Sequence, residues 1–151
     1  MSLAARLSLV TGAGVTLGAA LAAPAEASED HARRDYFLHC AGCHGLDGMG
    51  TRAGGMPAFP GSVGLIAAED LGRAYMANVP GVMANSLDDH RIAGVMNYIL
   101  RQWADETARP FDANEIGSHR AARVGDIVAM RRELAARLEG RGKAIAEYPW
   151  P

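Results

Sequence analysis

The chain is 151 residues long, carries 15 basic and 17 acidic side chains, and has a formal net charge of −2. This length fits one small domain, and the lack of any basic block argues against a nucleic-acid partner. Cysteine occurs only at Cys40 and Cys43, so any thiol chemistry must involve these two residues.

The N-terminal segment is typical of a bacterial export signal. Residues 1–8 carry one positive charge, Arg6, and residues 9–23 are apolar or small apart from two threonines. Ala25-Glu26-Ala27 then provides the small-x-small pattern that signal peptidase cleaves. The alternative is an uncleaved anchor, but the apolar run is shorter than the roughly 18 residues of a spanning helix. We expect residues 1–27 to be removed and the mature chain to be periplasmic, with no membrane span.

A predicted helix over residues 28–40 leads to the most informative stretch, Cys40-Ala41-Gly42-Cys43-His44. The C-x-x-C-H spacing is the attachment signature of a c-type haem. One helical turn can present both thiols to the same porphyrin edge for thioether bonds, and His44 follows as the proximal iron ligand. In bacteria haem is attached after export, which agrees with the predicted signal.

Three other interpretations of this stretch compete with haem attachment: a redox dithiol, a structural disulfide and half of a zinc site. A thioredoxin-type dithiol follows a strand in a βαβ pattern, whereas a helical pattern comes before Cys40. A four-ligand zinc site needs two further ligands at matched spacing, and the other histidines are scattered. Haem attachment is therefore favoured.

The following residues predict loops and two helices. Residues 45–64 contain too many glycines and prolines for a regular element, and residues 67–78 form a short helix. Residues 79–87 are predicted to be a loop that contains Met83. Ser86 or Asp88 then caps a helix with a continuous apolar stripe, which we interpret as core: Ile92, Val95, Met96, Ile99, Leu100 and Trp103.

Residues 104–151 form a predicted helical extension. A linker over residues 104–110 precedes Asp112, which together with Glu115 resembles a capping box. Residues 113–122 and 124–139 are predicted to be two helices broken at Gly125, or one kinked helix. One side of the second carries apolar residues and one arginine: Val124, Ile127, Val128, Arg131, Leu134 and Leu138. This side could lie over the rest of the chain or bind a partner.

Over residues 31–103 the chain resembles the class I mono-haem cytochromes c. Tyr36, four residues before Cys40, and Tyr98 match aromatic residues of that family, and Ala32 stands near the place of a family glycine. The resemblance implies an all-α cytochrome c fold, with N- and C-terminal helices crossing around a covalently bound haem. It implies a haem domain over residues 28–103, with residues 104–151 as a C-terminal helical extension.

The resemblance also implies ligands on both faces of the iron. Pro57 matches the proline whose carbonyl accepts the Nδ1–H of the proximal His44, which fixes the ring, and Phe59 matches the apolar residue two positions later. Met83 occupies the family's place for the sixth ligand, a thioether that raises the reduction potential. A loop methionine that only fills a gap in the core is the alternative.

These features predict an electron carrier that is not itself an enzyme. It would be a free periplasmic carrier or the cytochrome subunit of a periplasmic dehydrogenase, with one haem c and His/Met ligation. Its partners would be redox proteins, namely a dehydrogenase as donor and an oxidase or another cytochrome as acceptor. The alternative, favoured if Met83 does not bind the iron, is a haem protein with an open sixth site, such as a gas sensor or a peroxidase-like enzyme.

Overall fold

The computed structural model describes residues 25–105 and 108–148. The predicted export signal falls outside this range except for residues 25–27. In the described residues all regular structure is helical, which confirms the all-α prediction; the only β feature is an isolated bridge between Thr51 and Met56. Eight helices occur in this range: α1 Ala25–His39, α2 Ala41–His44, α3 Val63–Ala67, α4 Asp70–Asn78, α5 Pro80–Met83, α6 Asp89–Trp103, α7 Ala113–Ala121 and α8 Ile127–Glu139.

Helices α1 and α6 pack against each other through small and aromatic side chains. A Cβ at Gly94 would lie 3.7 Å from the Cβ of Ala32, so the two backbones approach closely here. The rings of Tyr36 and Tyr98 follow, with centroids 5.5 Å apart. Both tyrosines are buried. This pairing forms the centre of the core.

The apolar stripe of α6 lies in the core, as predicted, except that its last residue, Trp103, is partly buried against the core. Asp88 is the N-cap, because its carboxylate accepts a hydrogen bond of 2.8 Å from the amide of Arg91. The Arg91 side chain also reaches across to α1 and forms two hydrogen bonds with the buried Asp35, at 2.9 and 2.5 Å. The cap fixes the start of α6, and the ion pair adds a polar contact to its apolar contact with α1.

Two local predictions between the loop and α6 were wrong. The predicted loop over residues 45–64 contains the start of a helix, α3, whereas the predicted helix over residues 67–78 is observed as α4, which begins three residues later. The two helices approach closely, because a Cβ at Gly72 of α4 would be 1.9 Å from the carbonyl oxygen of Ile66 in α3. The predicted loop over residues 79–87 contains the helical turn α5. Pro80 begins that turn, because proline's fixed φ suits the first position of a helix.

The extension folds back onto the first part of the chain. It contains two helices, as predicted, and α7 packs on α6 and α4 while α8 packs on α4. Asp112 caps α7 by accepting from the amide of Glu115 at 2.9 Å. The Asn97 side chain of α6 exchanges two hydrogen bonds with the backbone of Phe111, at 2.7 and 2.9 Å. Three wholly buried residues of the extension complete the core: Ile116, Leu134 and Leu138.

A buried arginine joins the extension to α4. Arg73 is 3% exposed, and its guanidinium contacts both carboxylate oxygens of Glu115 at 2.5 and 2.7 Å. It also donates to the carbonyls of Arg109 and Pro110 at 2.8 and 3.1 Å, and it lies 3.7 Å from the centre of the Phe111 ring. We call Arg73, Glu115 and Arg109, whose side chain also contacts Glu115, the Arg73 clamp.

None of the helices in the described part of the chain has the length and apolar character needed to cross a membrane.

Candidate functional site

Cys40, Cys43 and His44 lie on one helical turn that continues from α1. The amide of Cys40 donates to Tyr36 at 2.9 Å, and the carbonyl of Cys40 accepts from His44 at 3.0 Å. Gly45, with φ of +77°, ends the turn, and its carbonyl accepts a hydrogen bond of 2.5 Å from the hydroxyl of Tyr36. The buried Tyr36 therefore holds the end of the turn that carries the thiols and the imidazole.

This turn borders a cavity of about 340 Å³, a size typical of small-molecule sites. The lining is largely apolar and comes from several parts of the chain. Besides Cys40, Cys43 and His44, it includes Met56, Pro57 and Phe59 of the loop, Tyr75 and Met76 of α4, Val95, Met96 and Ile99 of α6, and Ile127, Val128 and Arg131 of α8. The predicted attachment residues thus border one shared cavity.

The two thiols are free, and the environment of Cys40 differs from that of a reactive redox thiol. Burial, with smaller contributions from Asp35 and Cys43, raises the pKa of the Cys40 thiol to about 11. Reactive C-x-x-C pairs instead depend on a lowered pKa that favours the thiolate. In the described residues no group of three or more His, Cys, Asp or Glu side chains is placed to hold a metal ion.

His44 presents a neutral imidazole. Burial lowers its pKa, and the ring stacks on Phe59 with centroids 4.3 Å apart and planes 15° from parallel. Neutral imidazole is the form that binds a metal. Its Nδ1 is buried and has no hydrogen-bond partner.

That unpartnered Nδ1 corrects one prediction. Pro57 lines the same cavity as His44, but the predicted hydrogen bond from Nδ1 to its carbonyl is not formed. The ring instead takes the orientation that its stacking on Phe59 favours. Pro57 is close enough to share the site, but it does not fix the imidazole in this arrangement.

Met83, the predicted sixth ligand, is not brought into the cavity. It is the last residue of α5, it is half-buried, and its neighbour Val82 lines the cavity where Met83 does not. Three other methionines line the cavity: Met56, Met76 and Met96. Met76 belongs to α4 and Met96 to the apolar stripe of α6, so buried helical residues also face the cavity.

The extension contributes residues to the cavity that sequence reasoning did not predict as site residues. Arg131 of α8 lines the cavity, as does Tyr148 of the tail. The available signal was the position of Arg131 within the apolar side of α8, since a charge at a buried position commonly has a specific partner. No spacing rule connects that position with residues almost ninety places earlier in the chain.

Exposed apolar side chains flank, along the sequence, the turn that carries Cys40, Cys43 and His44. Leu38 and Leu46, on either side of it in sequence, are 70% and 71% exposed, and Met49 is 56% exposed. Together with the partly exposed Phe37 they provide apolar surface next to the exposed Cys43. We call these four residues the apolar rim.

Comparison with protein-family models, curated proteins and solved structures finds no match for this chain.

Proposed function

We propose that this protein is a periplasmic electron-transfer protein with the cytochrome c fold, carrying one c-type haem. The observation that supports this most strongly is the placement of both free thiols and a neutral imidazole on one helical turn beside an apolar cavity. This donor set fits a porphyrin attached through two thioether bonds and an iron held by one nitrogen ligand. The packing of α1 on α6 and the exposed Cys43 support the same interpretation.

Each residue at the site has a separate role in this proposal. The sulfurs of Cys40 and Cys43 bond the porphyrin, and Nε2 of His44 binds the iron. The haem, when bound, supplies reversible one-electron chemistry. The apolar walls exclude water and so limit the reorganisation that accompanies a change of charge. Tyr36 holds the turn in place through its hydrogen bond to Gly45.

The apolar rim is the proposed contact surface for redox partners. Its residues lie within six positions along the chain of Cys40 or Cys43, so a partner bound to them would be near the porphyrin edge. Apolar side chains grouped at the surface commonly mark an interaction site. The partners in this proposal are a periplasmic dehydrogenase as donor and an oxidase or another cytochrome as acceptor.

The direct test is the spectrum and reversibility of the purified haem protein. We expect a low-spin spectrum that switches fully between oxidised and reduced forms over repeated cycles. A chain that carries haem but is destroyed or precipitated by one cycle would contradict a carrier role.

The sixth ligand separates this function from a second candidate. A thioether bound to ferric iron gives a far-red charge-transfer band, and the sequence assigns that ligand to Met83. If Met83→Ala removes the band while Met76→Ala keeps it, Met83 is the ligand; the reverse result assigns the bond to Met76. Leaving the band intact in both variants would reject both assignments.

The second candidate is a haem protein with an open sixth site, acting as a gas sensor or a peroxidase-like enzyme. The position of Met83 off the cavity lining favours it. It predicts high-spin ferric iron and rapid binding of carbon monoxide by the reduced protein. Low-spin iron that does not bind carbon monoxide would reject this candidate and support the carrier.

A further inference from the structure

Arg131 is a buried cation that faces the cavity. It is 4% exposed, it comes from α8 of the extension, and its side chain forms part of the cavity lining. Removing an arginine from water is costly unless its charge and its N–H groups find partners. The identity of those partners therefore indicates what this part of the cavity accommodates.

The protein partners of Arg131 are neutral. One terminal nitrogen donates to the carbonyl of Ala146 at 2.6 Å, and the other makes a long contact of 3.4 Å with the Tyr75 hydroxyl. The rings of Tyr75 and Tyr148 lie 5.6 Å from the guanidinium carbon. None of the ion pairs found among the described residues includes Arg131. Among the described residues, these two hydrogen bonds leave most of its five N–H donors without an acceptor.

The contrast with Arg73 shows that this arrangement is not general for buried arginine in this chain. The exposed fractions of Arg73 and Arg131 differ by only one percentage point. The guanidinium of Arg73, however, faces a carboxylate and backbone carbonyls. Arg131 has an apolar cavity where Arg73 has Glu115. A planar guanidinium in that position matches a carboxylate, which can accept two parallel hydrogen bonds.

We propose that Arg131 holds an oxyanion inside the cavity, and that this oxyanion is a carboxylate group of the bound porphyrin. The choice of the porphyrin as the source rests on the proposed function, whereas the oxyanion site rests on the geometry of Arg131 alone. A small free carboxylate would use the same chemistry. The extension then has a binding role, because α8 brings this cation to a cavity whose attachment turn belongs to the other end of the chain.

The competing interpretation is that Arg131 only tethers the tail. Ala146 is held at its amide as well, which donates to the Ser62 hydroxyl at 2.7 Å. A tether needs a hydrogen-bond donor but not a charge. Arg131→Gln therefore keeps the N–H donors that a tether requires and loses the positive charge that an oxyanion site requires. Arg131→Lys keeps the positive charge but lacks the planar guanidinium with its parallel N–H donors. Arg132→Gln, on the exposed side of the same helix, is the matched control for loss of one positive charge.

The experiment compares these full-length variants after haem attachment. Resonance Raman spectroscopy reports hydrogen bonding to porphyrin carboxylates through their bending bands. We expect those bands to shift in Arg131→Gln, to shift less in Arg131→Lys and to stay unchanged in Arg132→Gln. The midpoint potential should fall in Arg131→Gln, because loss of a nearby cation favours ferric iron. This result supports the porphyrin as the source.

A free oxyanion gives a different result. Sodium formate would then shift the absorption of the wild-type ferric protein with saturation, and the apparent affinity would fall at least tenfold in Arg131→Gln while the Raman bands stay constant. Unchanged Raman bands, potential and formate response in folded Arg131→Gln would overturn the proposal. If Arg131→Gln fails to fold, two results together would overturn the proposal. They are a wild-type absorption spectrum that formate does not change, and Raman carboxylate bands in Arg131→Lys that equal those of the wild type.

Failure of the proposed function is detected separately. If the wild-type chain takes up no haem, the carrier proposal fails, and so does the porphyrin as source. Formate can still be tested by thermal unfolding, because a ligand that binds the folded state raises its stability with concentration. Stabilisation that is lost in Arg131→Gln would support the oxyanion site in that case, and its absence would overturn it.

Discussion

Arg73 and Arg131 are the two buried arginines of the described chain, and they join the same two regions in different ways. Arg73, on α4, is saturated by Glu115 and by backbone carbonyls of the linker. Arg131, on α8, faces a cavity, and its partners among the described residues are neutral. The extension is thus attached on one side by an ion pair with Glu115, and on the other it presents a charge for which the described part of the chain provides no counterion.

This difference separates a structural role from a binding role. A charge balanced within the protein contributes to stability whether or not a ligand is bound, and its loss leaves a buried partner unpaired. A charge without an internal counterion leaves no such partner when it is removed. Substitutions at the two arginines should therefore affect different quantities, stability at Arg73 and the properties of the site at Arg131.

Breaking the Arg73 clamp should give the largest effect on stability. Arg73→Met keeps the bulk of the side chain but leaves the Glu115 carboxylate, 15% exposed, without its main partner. We expect the free energy of unfolding to fall by about 3–5 kcal/mol in urea denaturation, the range typical of a broken buried pair. Arg101→Met is the control, since its pair with Glu29 is half-exposed and should contribute about 1 kcal/mol or less. If Arg73→Met lowers the free energy of unfolding no more than Arg101→Met does, the structural role assigned to Arg73 is contradicted.

The clamp should also make stability depend on acid pH. Hydrogen bonds from Arg73, with smaller contributions from Arg109, lower the pKa of Glu115 from its ordinary 4.5 to about 2. Because the pKa is lower in the folded state, the clamp stabilises the protein fully above pH 4.5, and this contribution is lost as the pH falls from 4.5 to 2. We expect a loss of about 3 kcal/mol.

The measurement is the free energy of unfolding at a series of pH values for the wild type and for Glu115→Gln. Other carboxylates titrate in the same range, including Asp35, whose pKa is lowered by Arg91, so the difference between the two proteins isolates Glu115. Parallel curves for the two proteins would show that Glu115 is not the origin of the effect.

The smallest effect on stability is expected at Arg131. Arg131→Gln removes a buried charge without leaving a carboxylate unpaired, and glutamine can still donate to the carbonyl of Ala146. We expect the free energy of unfolding of the haem-free chain to change by about 1 kcal/mol, the value of one ordinary hydrogen bond. Urea denaturation of Arg131→Gln and of Arg73→Met under the same conditions measures the change in the free energy of unfolding for each variant. A loss at Arg131 equal to that at Arg73 would show that both arginines are structural.

The sequence predicted those features that depend on neighbouring residues along the chain. The apolar spacing of α6 and its cap at Asp88 were correct because each depends on contacts within one or two turns. The break between α7 and α8 was also predicted, since Gly125 interrupts the helical pattern. The turn that carries Cys40, Cys43 and His44 could be singled out because the proposed haem attachment requires two thiols and an imidazole at fixed spacing.

The remaining features depend on which faces meet, and residue spacing carries little information about that. The helical turn at Pro80–Met83 directs Val82 rather than Met83 to the cavity, a difference of one residue that a loop prediction cannot resolve. The apolar side of α8 was recognised, but its contact with α4, and hence the position of Arg131, required the folded chain. The contact between Arg73 and Glu115 spans residues far apart in sequence and has no local signal.

Covalent haem attachment tests the central claim most directly. The full chain is produced with a bacterial haem-attachment system, and intact mass is compared with that of the variant Cys40→Ser/Cys43→Ser. The proposal predicts that the wild-type mass equals that of the mature polypeptide plus one complete haem, because a thiol adds across a vinyl group without loss of atoms, and that the variant lacks this increment. A wild-type chain recovered at the mass of the polypeptide alone, under conditions in which a control cytochrome c receives its haem, would contradict it.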